Sequence, residues 1–225
     1  LLFNNRIYGL TKGQYSPTSP FGMKTKSTPF GSIDRPVQPL SVALGAEGTF
    51  VARAVDMHPK HLTEMIRRAA QHKGTSFIEI YQNCAIFNDK AFQYAEDRKI
   101  RADHIIELEH GEPLIYGTNQ DKGIIFDGRR LKSVTIGEDG ITKDDLMVHD
   151  ERGEVGIHQL IAQMKQPDLP EPVGVLRAVQ HPTYNDLVDG QISEFIDRKG
   201  KGDLQKLLTG PSSWEVTEED AQQDE

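Results

Sequence analysis

Hydrophobic positions along the chain follow two spacings, one typical of buried strands and one typical of amphipathic helices. Nearly continuous apolar runs at residues 49–55 and 77–81 predict two buried strands. A short helix is predicted before the first strand, at residues 39–45. Between the two strands, apolar side chains recur at helical spacing over residues 58–74, which predicts a second helix. Helices and strands that alternate in this way predict an α/β fold, with a mostly parallel sheet and flanking helices.

The second half of the chain has a less regular pattern. We predict a short helix around residues 90–97, strands at 105–108, 123–126, 131–136 and 173–179, a helix around Leu160, Ile161 and Met164, and short helices at 187–195 and 204–208. Asp127-Gly128 between two of these strands indicates a hairpin. We therefore expect a first domain at residues 1–100, a C-terminal α+β extension at residues 101–216, and a disordered acidic tail at residues 217–225.

The beginning of the chain is unusual. Leu1, Leu2 and Phe3 precede Asn4-Asn5 without an initiator methionine, which indicates the end of a buried strand and a fragment of a longer subunit. Residues 12–39, rich in proline, serine, threonine and glycine, cannot form a helix interior or a central strand. A loop of this length in a compact domain is usually functional or mobile.

Composition narrows the classes of function. The 225 residues include 34 acidic and 26 basic side chains, a net charge of -8, which argues against nucleic acid as a partner. No apolar run approaches the roughly 18 residues of a membrane span, so we expect no membrane partner. The single cysteine excludes a disulfide framework within the chain and fits a cytoplasmic protein.

Asn4-Asn5 is the first candidate for chemistry. Two adjacent asparagines are ordinary turn residues, and this interpretation is favoured when the pair is taken alone. The alternative is a Mg²⁺ site, because a side-chain amide and a main-chain carbonyl two residues later can fill two of six oxygen positions around the ion.

A longer stretch of sequence favours the second interpretation. The run from Asn4 to Gln14, followed by Ser16-Pro17-Thr18, closely resembles the β subunits of 2-oxoacid:ferredoxin oxidoreductases, and most strongly the branch that uses 2-oxoglutarate. These are thiamine-diphosphate enzymes. The resemblance spans nearly the whole chain, through residues 24–31, 50–53, 77–80, Cys84, 172–177 and 182–184.

This resemblance implies a thiamine-diphosphate-binding fold. It also implies that the residues after the apolar run at the beginning of the chain bind the cofactor and Mg²⁺. Asn5 would give a side-chain oxygen, and Ile7 a main-chain carbonyl, to Mg²⁺. The residues implied to bind the cofactor are Asn5, Ile7, Tyr8, Gly9, Leu10 and Thr11. Leu10, Thr11 and Lys12 would also lie near the 2-oxoacid, with Lys12 a candidate contact for the substrate or coenzyme A.

Cys84 follows the second buried strand. A lone cysteine is most often a buried, inert side chain, and one thiolate cannot hold an iron–sulfur cluster. The resemblance implies instead that Cys84 is the fourth ligand of a [4Fe–4S] cluster, with the other three ligands in an N-terminal region. Because the carboxylate that activates the cofactor comes from the partner α subunit in related enzymes, we assign no catalytic acid or base here.

The resemblance implies oxidative decarboxylation of a 2-oxoacid, expected to be 2-oxoglutarate, to its acyl-CoA, with CO₂ release and reduction of ferredoxin by a heterotetramer. Two alternatives stay open: a thiamine-diphosphate decarboxylase that does not use ferredoxin, and a binding subunit without cofactor or catalysis. Weaker candidates are the pair His58 and His61 for a metal and Lys60 for coenzyme A, and for each a solvated side chain is the favoured interpretation.

Overall fold

The structure is a computed structural model, and it describes residues 1–215. The strands are β1 (Leu2–Asn4), β2 (Phe50–Val55), β3 (Ser76–Tyr81), β4 (Ile105–Leu108), β5 (Ile115–Tyr116), β6 (Lys122–Phe126), β7 (Leu131–Thr135) and β8 (Glu171–Ala178). The α-helices are α1 (Pro39–Gly45), α2 (Pro59–Gln71), α3 (Gln93–Glu96), α4 (Val155–Ala162), α5 (Tyr184–Lys199) and α6 (Leu204–Thr209).

The main sheet has five strands in the order β1-β3-β2-β8-β4. The pairs β1–β3, β2–β3 and β4–β8 are parallel, whereas β2 and β8 run antiparallel. The predicted α/β fold with a mostly parallel sheet is confirmed. The strand that reverses direction comes from late in the chain, so the sheet combines strands from both sides of residue 100.

Helices cover both faces of this sheet. On one face, Leu40 and Leu44 of α1 and Ile161 of α4 pack in a cluster with Val51 of β2. On the opposite face, Met65 of α2 packs against the alternate strand positions, which include Ala52, Ile78 and Ile80. Side chains of one strand point alternately to the two faces, so β2 is buried along its full length, as its apolar run predicted.

Strand β1 differs from the prediction of a buried strand. It lies at the edge of the sheet and pairs only with β3 among the described residues, and Phe3 is 56% exposed. Asn4, the last residue of β1, is the buried one. An edge strand that is covered on one face exposes every second side chain. An apolar run of three residues cannot show that a strand has this edge position.

The predicted hairpin is confirmed and belongs to a second sheet. Strands β6 and β7 pair antiparallel with Phe126 opposite Leu131, and β5 adds a third strand along β6. Asp127 accepts hydrogen bonds from the main-chain amides of Arg129 and Arg130 across the turn. The two-residue strand β5 is too short to produce an alternating pattern in the sequence.

The chain divides into two compact units, Leu1–His181 and Pro182–Glu225. The described part of the second unit contains α5 and α6, and α5 is longer than the short helix predicted there. Thr183 and Asp186 form a capping box at its beginning, which starts the helix earlier than its apolar positions indicate. The acidic tail predicted at residues 217–225 lies outside the described residues. None of the helices within residues 1–215 is long and apolar enough to cross a membrane.

Candidate functional site

Two chain segments meet where β1 and β3 end. The strands are parallel and in register, with Asn4 opposite Tyr81, and the main-chain amide of Gln82 donates to the carbonyl of Asn4 at 3.1 Å. The turn that begins at Asn5 therefore lies beside the loop that contains Cys84. Ligand sites of open α/β sheets lie at such carboxyl ends of parallel strands.

The two asparagines of the first turn have different roles. The buried Asn4 carboxamide makes three hydrogen bonds: Nδ2 donates to Glu79 Oε1 at 2.7 Å, and Oδ1 accepts from Thr18 Oγ1 at 2.7 Å and from the Arg6 amide at 3.1 Å. The half-buried Asn5 accepts one hydrogen bond within its own turn, from the Ile7 amide to Oδ1 at 3.2 Å. Asn5 therefore keeps a lone pair for a ligand, and Asn4 holds the turn in place.

Most of the predicted cofactor residues lie along one groove. Asn5, Ile7, Tyr8, Gly9 and Leu10 line a cavity of about 720 Å³. Its other wall is formed mainly by the loop after residue 15, by α1 and by Phe77 of β3. This wall is largely apolar, which suits the body of an organic cofactor better than a free ion.

Thr11 and Lys12 are exposed and lie in a tight turn beyond this groove. Tyr8 pairs with Gln14 through a main-chain bond of 2.8 Å, and the Lys12 amide donates to the carbonyl of Gly9 at 3.0 Å. At its tip, Leu10 is 99% exposed. The structure thus brings Leu10, Thr11 and Lys12 together on a projecting turn.

Cys84 is half-buried and lies beside this turn. A Cβ atom added at Gly9 would lie 3.9 Å from Cys84 Sγ. The carbonyl of Cys84 accepts from the Asn88 amide at 2.9 Å, and the Asn88 side chain reaches back to the carbonyl of Asn5, also at 2.9 Å. The residue predicted to bind a cluster and the residue predicted to bind Mg²⁺ therefore lie on adjoining loops.

A close approach between these loops requires glycine at position 13. Gly13 has a φ of +98°, and a Cβ atom there would lie 2.9 Å from the Phe87 ring. The ring of Phe87 also packs beside Gly9, at 3.8 Å from the corresponding Cβ position. Phe87 thus fills the space between the projecting turn and the Cys84 loop.

A buried polar network, not predicted from the sequence, holds Asn4 at the beginning of the site's first turn. Arg53 Nε donates to Glu79 Oε2 at 2.9 Å, and Glu79 also holds Asn4. Burial lowers the pKa of Arg53, but Tyr81 and Glu79 raise it and the net direction is upward. Arg53 therefore remains charged inside the sheet. The signal for this pair was a charged residue at the centre of each apolar strand.

Arg6 connects the turn to the same network. Its guanidinium lies 4.3 Å from the centroid of the Phe92 ring, near Tyr94 and Glu171. Burial lowers the pKa of Arg6, while Tyr81, Tyr94 and Glu171 raise it, with a net upward shift. A cavity of about 210 Å³ is lined by Arg6, Arg53 and Glu171, among other residues. Arg6 itself adopts a φ of +55°, an uncommon backbone conformation for a residue other than glycine.

The other candidates lie outside this site. His58 Nε2 contacts Arg101, and burial lowers the pKa of both His58 and His61. Within residues 1–215, no group of three or more His, Cys, Asp or Glu side chains is arranged to hold a metal ion. Lys60 is exposed in the first turn of α2.

Comparison with known proteins identifies the class of fold. Residues 1–80 match the family described as thiamine pyrophosphate enzyme, C-terminal TPP binding domain. A 2-oxoglutarate:ferredoxin oxidoreductase from Magnetococcus marinus, solved with 2-oxoglutarate, coenzyme A and succinyl-CoA bound, superposes with a TM-score of 0.61 and 27% identity. That likeness covers 92% of this chain and 56% of the solved chain. The chain therefore has the thiamine-diphosphate-binding fold.

Curated relatives narrow the resemblance to one kind of subunit. The chain is 42% identical over 220 residues to the 2-oxoglutarate oxidoreductase subunit KorB of Mycobacterium tuberculosis, which covers 96% of this chain and 58% of that protein. It is 41% identical over 100 residues to a 2-oxoacid:ferredoxin oxidoreductase β subunit of Saccharolobus solfataricus, covering 44% of this chain and 33% of that subunit. The predicted resemblance to these β subunits is confirmed. The chain spans a little over half the length of KorB.

Proposed function

We propose that this chain acts in the β subunit of a thiamine-diphosphate-dependent 2-oxoacid:ferredoxin oxidoreductase that uses 2-oxoglutarate. The observation that carries the proposal is the turn at the carboxyl end of β1. It presents the Asn5 carboxamide and the Ile7 main chain beside the Cys84 loop, in a chain 42% identical to KorB over 220 residues.

Asn5 and Ile7 would hold Mg²⁺, and their oxygen atoms suit this ion. Mg²⁺ prefers oxygen ligands and is often bound by few protein groups together with the phosphates of its partner molecule. Asn5 is half-buried, and its side-chain oxygen accepts one hydrogen bond within its turn, so this oxygen retains capacity for a ligand. Tyr8, Gly9, Leu10 and Thr11 would complete the contacts to thiamine diphosphate.

When bound, thiamine diphosphate supplies the electron sink that decarboxylation of a 2-oxoacid requires. The residues of this chain would bind and orient the cofactor and the substrate. The apolar groove beside Asn5 would exclude water from the cofactor, and the cation of Lys12 on the projecting turn would attract the anionic 2-oxoacid or coenzyme A. No catalytic acid or base is assigned within this chain, and the α subunit would supply that carboxylate.

Cys84 would be the fourth ligand of a [4Fe–4S] cluster. Its position beside Gly9 supports this assignment, because an electron acceptor must lie near the cofactor that releases the electrons. The other three thiolates would come from a part of the subunit outside this chain. Electrons would then pass to ferredoxin, and coenzyme A would take the acyl group. We further propose an α/β heterotetramer in the cytoplasm.

The direct test compares substrates on the assembled complex. With ferredoxin as acceptor and coenzyme A present, kcat/KM for 2-oxoglutarate should exceed that for pyruvate by at least tenfold. A preference for pyruvate would overturn the substrate assignment. Decarboxylation without ferredoxin reduction would favour a different thiamine-diphosphate enzyme, and a complex that contains neither thiamine diphosphate nor iron would favour a binding subunit without catalysis.

A further inference from the structure

The side chain of Asn88 joins the two loops of the candidate site. Its Nδ2 donates to the main-chain carbonyl of Asn5 at 2.9 Å, and a second, longer contact of 3.4 Å reaches the carbonyl of Arg6. The main-chain amide of Asn88 donates to the carbonyl of Cys84 at 2.9 Å. One residue therefore contacts the turn proposed to bind Mg²⁺ and the loop that contains Cys84.

These contacts fix the orientation of the peptide groups that carry the proposed ligands. The carbonyl of Asn5 belongs to the same peptide plane as the amide of Arg6, and the carbonyl of Arg6 shares a plane with the amide of Ile7. The Ile7 amide in turn donates to the Asn5 carboxamide oxygen. A donor that holds the first two carbonyls consequently limits where the Asn5 oxygen and the Ile7 carbonyl can point.

The backbone of this turn needs such support. Arg6 has a φ of +55°, a region that residues other than glycine adopt only where their surroundings hold them. Ser19 Oγ donates to the carbonyl of Arg6 at 2.6 Å from the other side of the turn. The carbonyl of Asn5, which directly adjoins the proposed ligand, is held by Asn88.

We propose that Asn88 is a positioning residue for the Mg²⁺ turn. Through its hydrogen bond to the carbonyl of Asn5, it holds the Asn5 carboxamide and the Ile7 carbonyl ready for the ion, and it ties this turn to the Cys84 loop. This inference rests on the proposed function, because it assigns a role toward the ion that Asn5 and Ile7 would bind. Asn88 itself touches no reacting atom.

The test is Mg²⁺-dependent binding of thiamine diphosphate to the complete complex. Asn88→Ala removes the donor, and Asn88→Asp removes it while keeping the size of the side chain. Each should raise the Mg²⁺ concentration for half-maximal binding about tenfold, since one or two hydrogen bonds are lost. At saturating Mg²⁺, kcat should recover to within about threefold of the unaltered complex, which a general loss of structure would not allow.

Asn83→Ala is the matched control. Asn83 lies in the same loop, and its side chain hydrogen-bonds to the Asp89 carboxylate and the Lys90 amide of that loop. It should leave the Mg²⁺ requirement unchanged. The proposal is overturned if the Asn88 variants keep the normal Mg²⁺ requirement, or if Asn83→Ala raises it equally. It is also overturned if both Asn88 variants fail to assemble while Asn83→Ala assembles, since Asn88 would then maintain the fold.

Asn5→Ala, measured in parallel, distinguishes failure of the positioning role of Asn88 from failure of the proposed function. If Asn5→Ala raises the Mg²⁺ requirement and the Asn88 variants do not, the positioning role fails and the proposed function stands. If neither Asn5→Ala nor the Asn88 variants change it, the proposed Mg²⁺ site fails, and the positioning role fails with it.

Discussion

Arg53 and Glu79 face each other across neighbouring strands at the centre of the main sheet. They are partners in the register of β2 and β3, and their side chains are 3% and 1% exposed. Glu79 also accepts from the carboxamide of Asn4, which in turn holds the Arg6 amide. The ion pair therefore supports the first turn of the site through Asn4.

Breaking this pair should be strongly destabilising. Arg53→Met leaves the Glu79 carboxylate buried without its charged partner, a change that typically costs about 3–5 kcal/mol of unfolding free energy. Urea unfolding measures the loss. The double variant Arg53→Met with Glu79→Gln removes the unpaired charge and should recover part of the stability. A single variant that loses less than about 1 kcal/mol would contradict a buried, uncompensated charge.

The glycine at position 13 should be far less replaceable than the glycine at position 22. Both have positive φ, +98° and +79°, so alanine at either position costs about 1–2 kcal/mol in backbone strain. A Cβ atom at Gly13 also meets the Phe87 ring at 2.9 Å, whereas nothing lies within 4 Å of one at Gly22. Gly13→Ala should thus cost about 1–3 kcal/mol more than Gly22→Ala. Equal losses in unfolding free energy would refute the close packing.

Two buried histidines should make stability depend on pH. Burial lowers the pKa of His149, and burial together with Arg177 lowers the pKa of His158. In the unfolded chain both would bind protons near pH 6.5, while the folded protein keeps them neutral. The unfolded state then holds more protons, so the unfolding free energy should fall as the pH decreases from about 7.5 to 5.5.

His149→Gln should flatten this pH dependence. Its side-chain amide can replace the His149 Nε2 donor to the carbonyl of Val175, a bond of 2.8 Å, but it does not titrate. Unfolding free energies at the two pH values, compared between the variant and the unaltered protein, provide the measurement. An equally steep decrease in the variant would assign the effect to other groups.

Local sequence patterns were sufficient for the elements that bury long apolar runs. The strands β2 and β3 and the helix α1 lie within a residue or so of their predicted positions, because a continuous apolar run bounded by proline or glycine leaves few alternatives. The α2 stripe was also correct, although the helix ends at Gln71, before the predicted stop at Gly74. Strand pairing could not be predicted in this way: no periodicity indicates that β8 lies between β2 and β4, antiparallel to β2 and parallel to β4.

For the candidate site, the resemblance predicted the proposed ligands but not the side chains that support them. The resemblance indicated Asn5, Ile7 and Cys84, and the structure brings their segments together. The supporting side chains were not predicted. Asn88 and Glu171 are distant from the turn in sequence, and only the pairing of the strands in the sheet brings them near it. Arg53 and Glu79 could have been found, since a charge in the middle of an apolar strand needs a buried partner.

Replacement of Cys84 tests the electron-transfer part of the proposal. Because a [4Fe–4S] cluster normally needs four thiolates, Cys84→Ala in the complete subunit should lower cluster iron content and abolish most ferredoxin reduction. Thiamine diphosphate binding should persist, because the Asn5 turn is retained. Undiminished iron content and electron transfer after reconstitution would remove Cys84 from the ligand set.

We propose above all that the Asn5 side chain helps to hold Mg²⁺ for thiamine diphosphate. The most direct measurement is calorimetric titration of thiamine diphosphate into the complete Asn5→Ala complex over a range of Mg²⁺ concentrations. Loss of a direct ligand should raise the Mg²⁺ requirement at least as much as loss of a residue that only orients the ligands, about 10–100-fold, while Asn83→Ala leaves it unchanged. Unchanged Mg²⁺-dependent binding in Asn5→Ala would contradict the account.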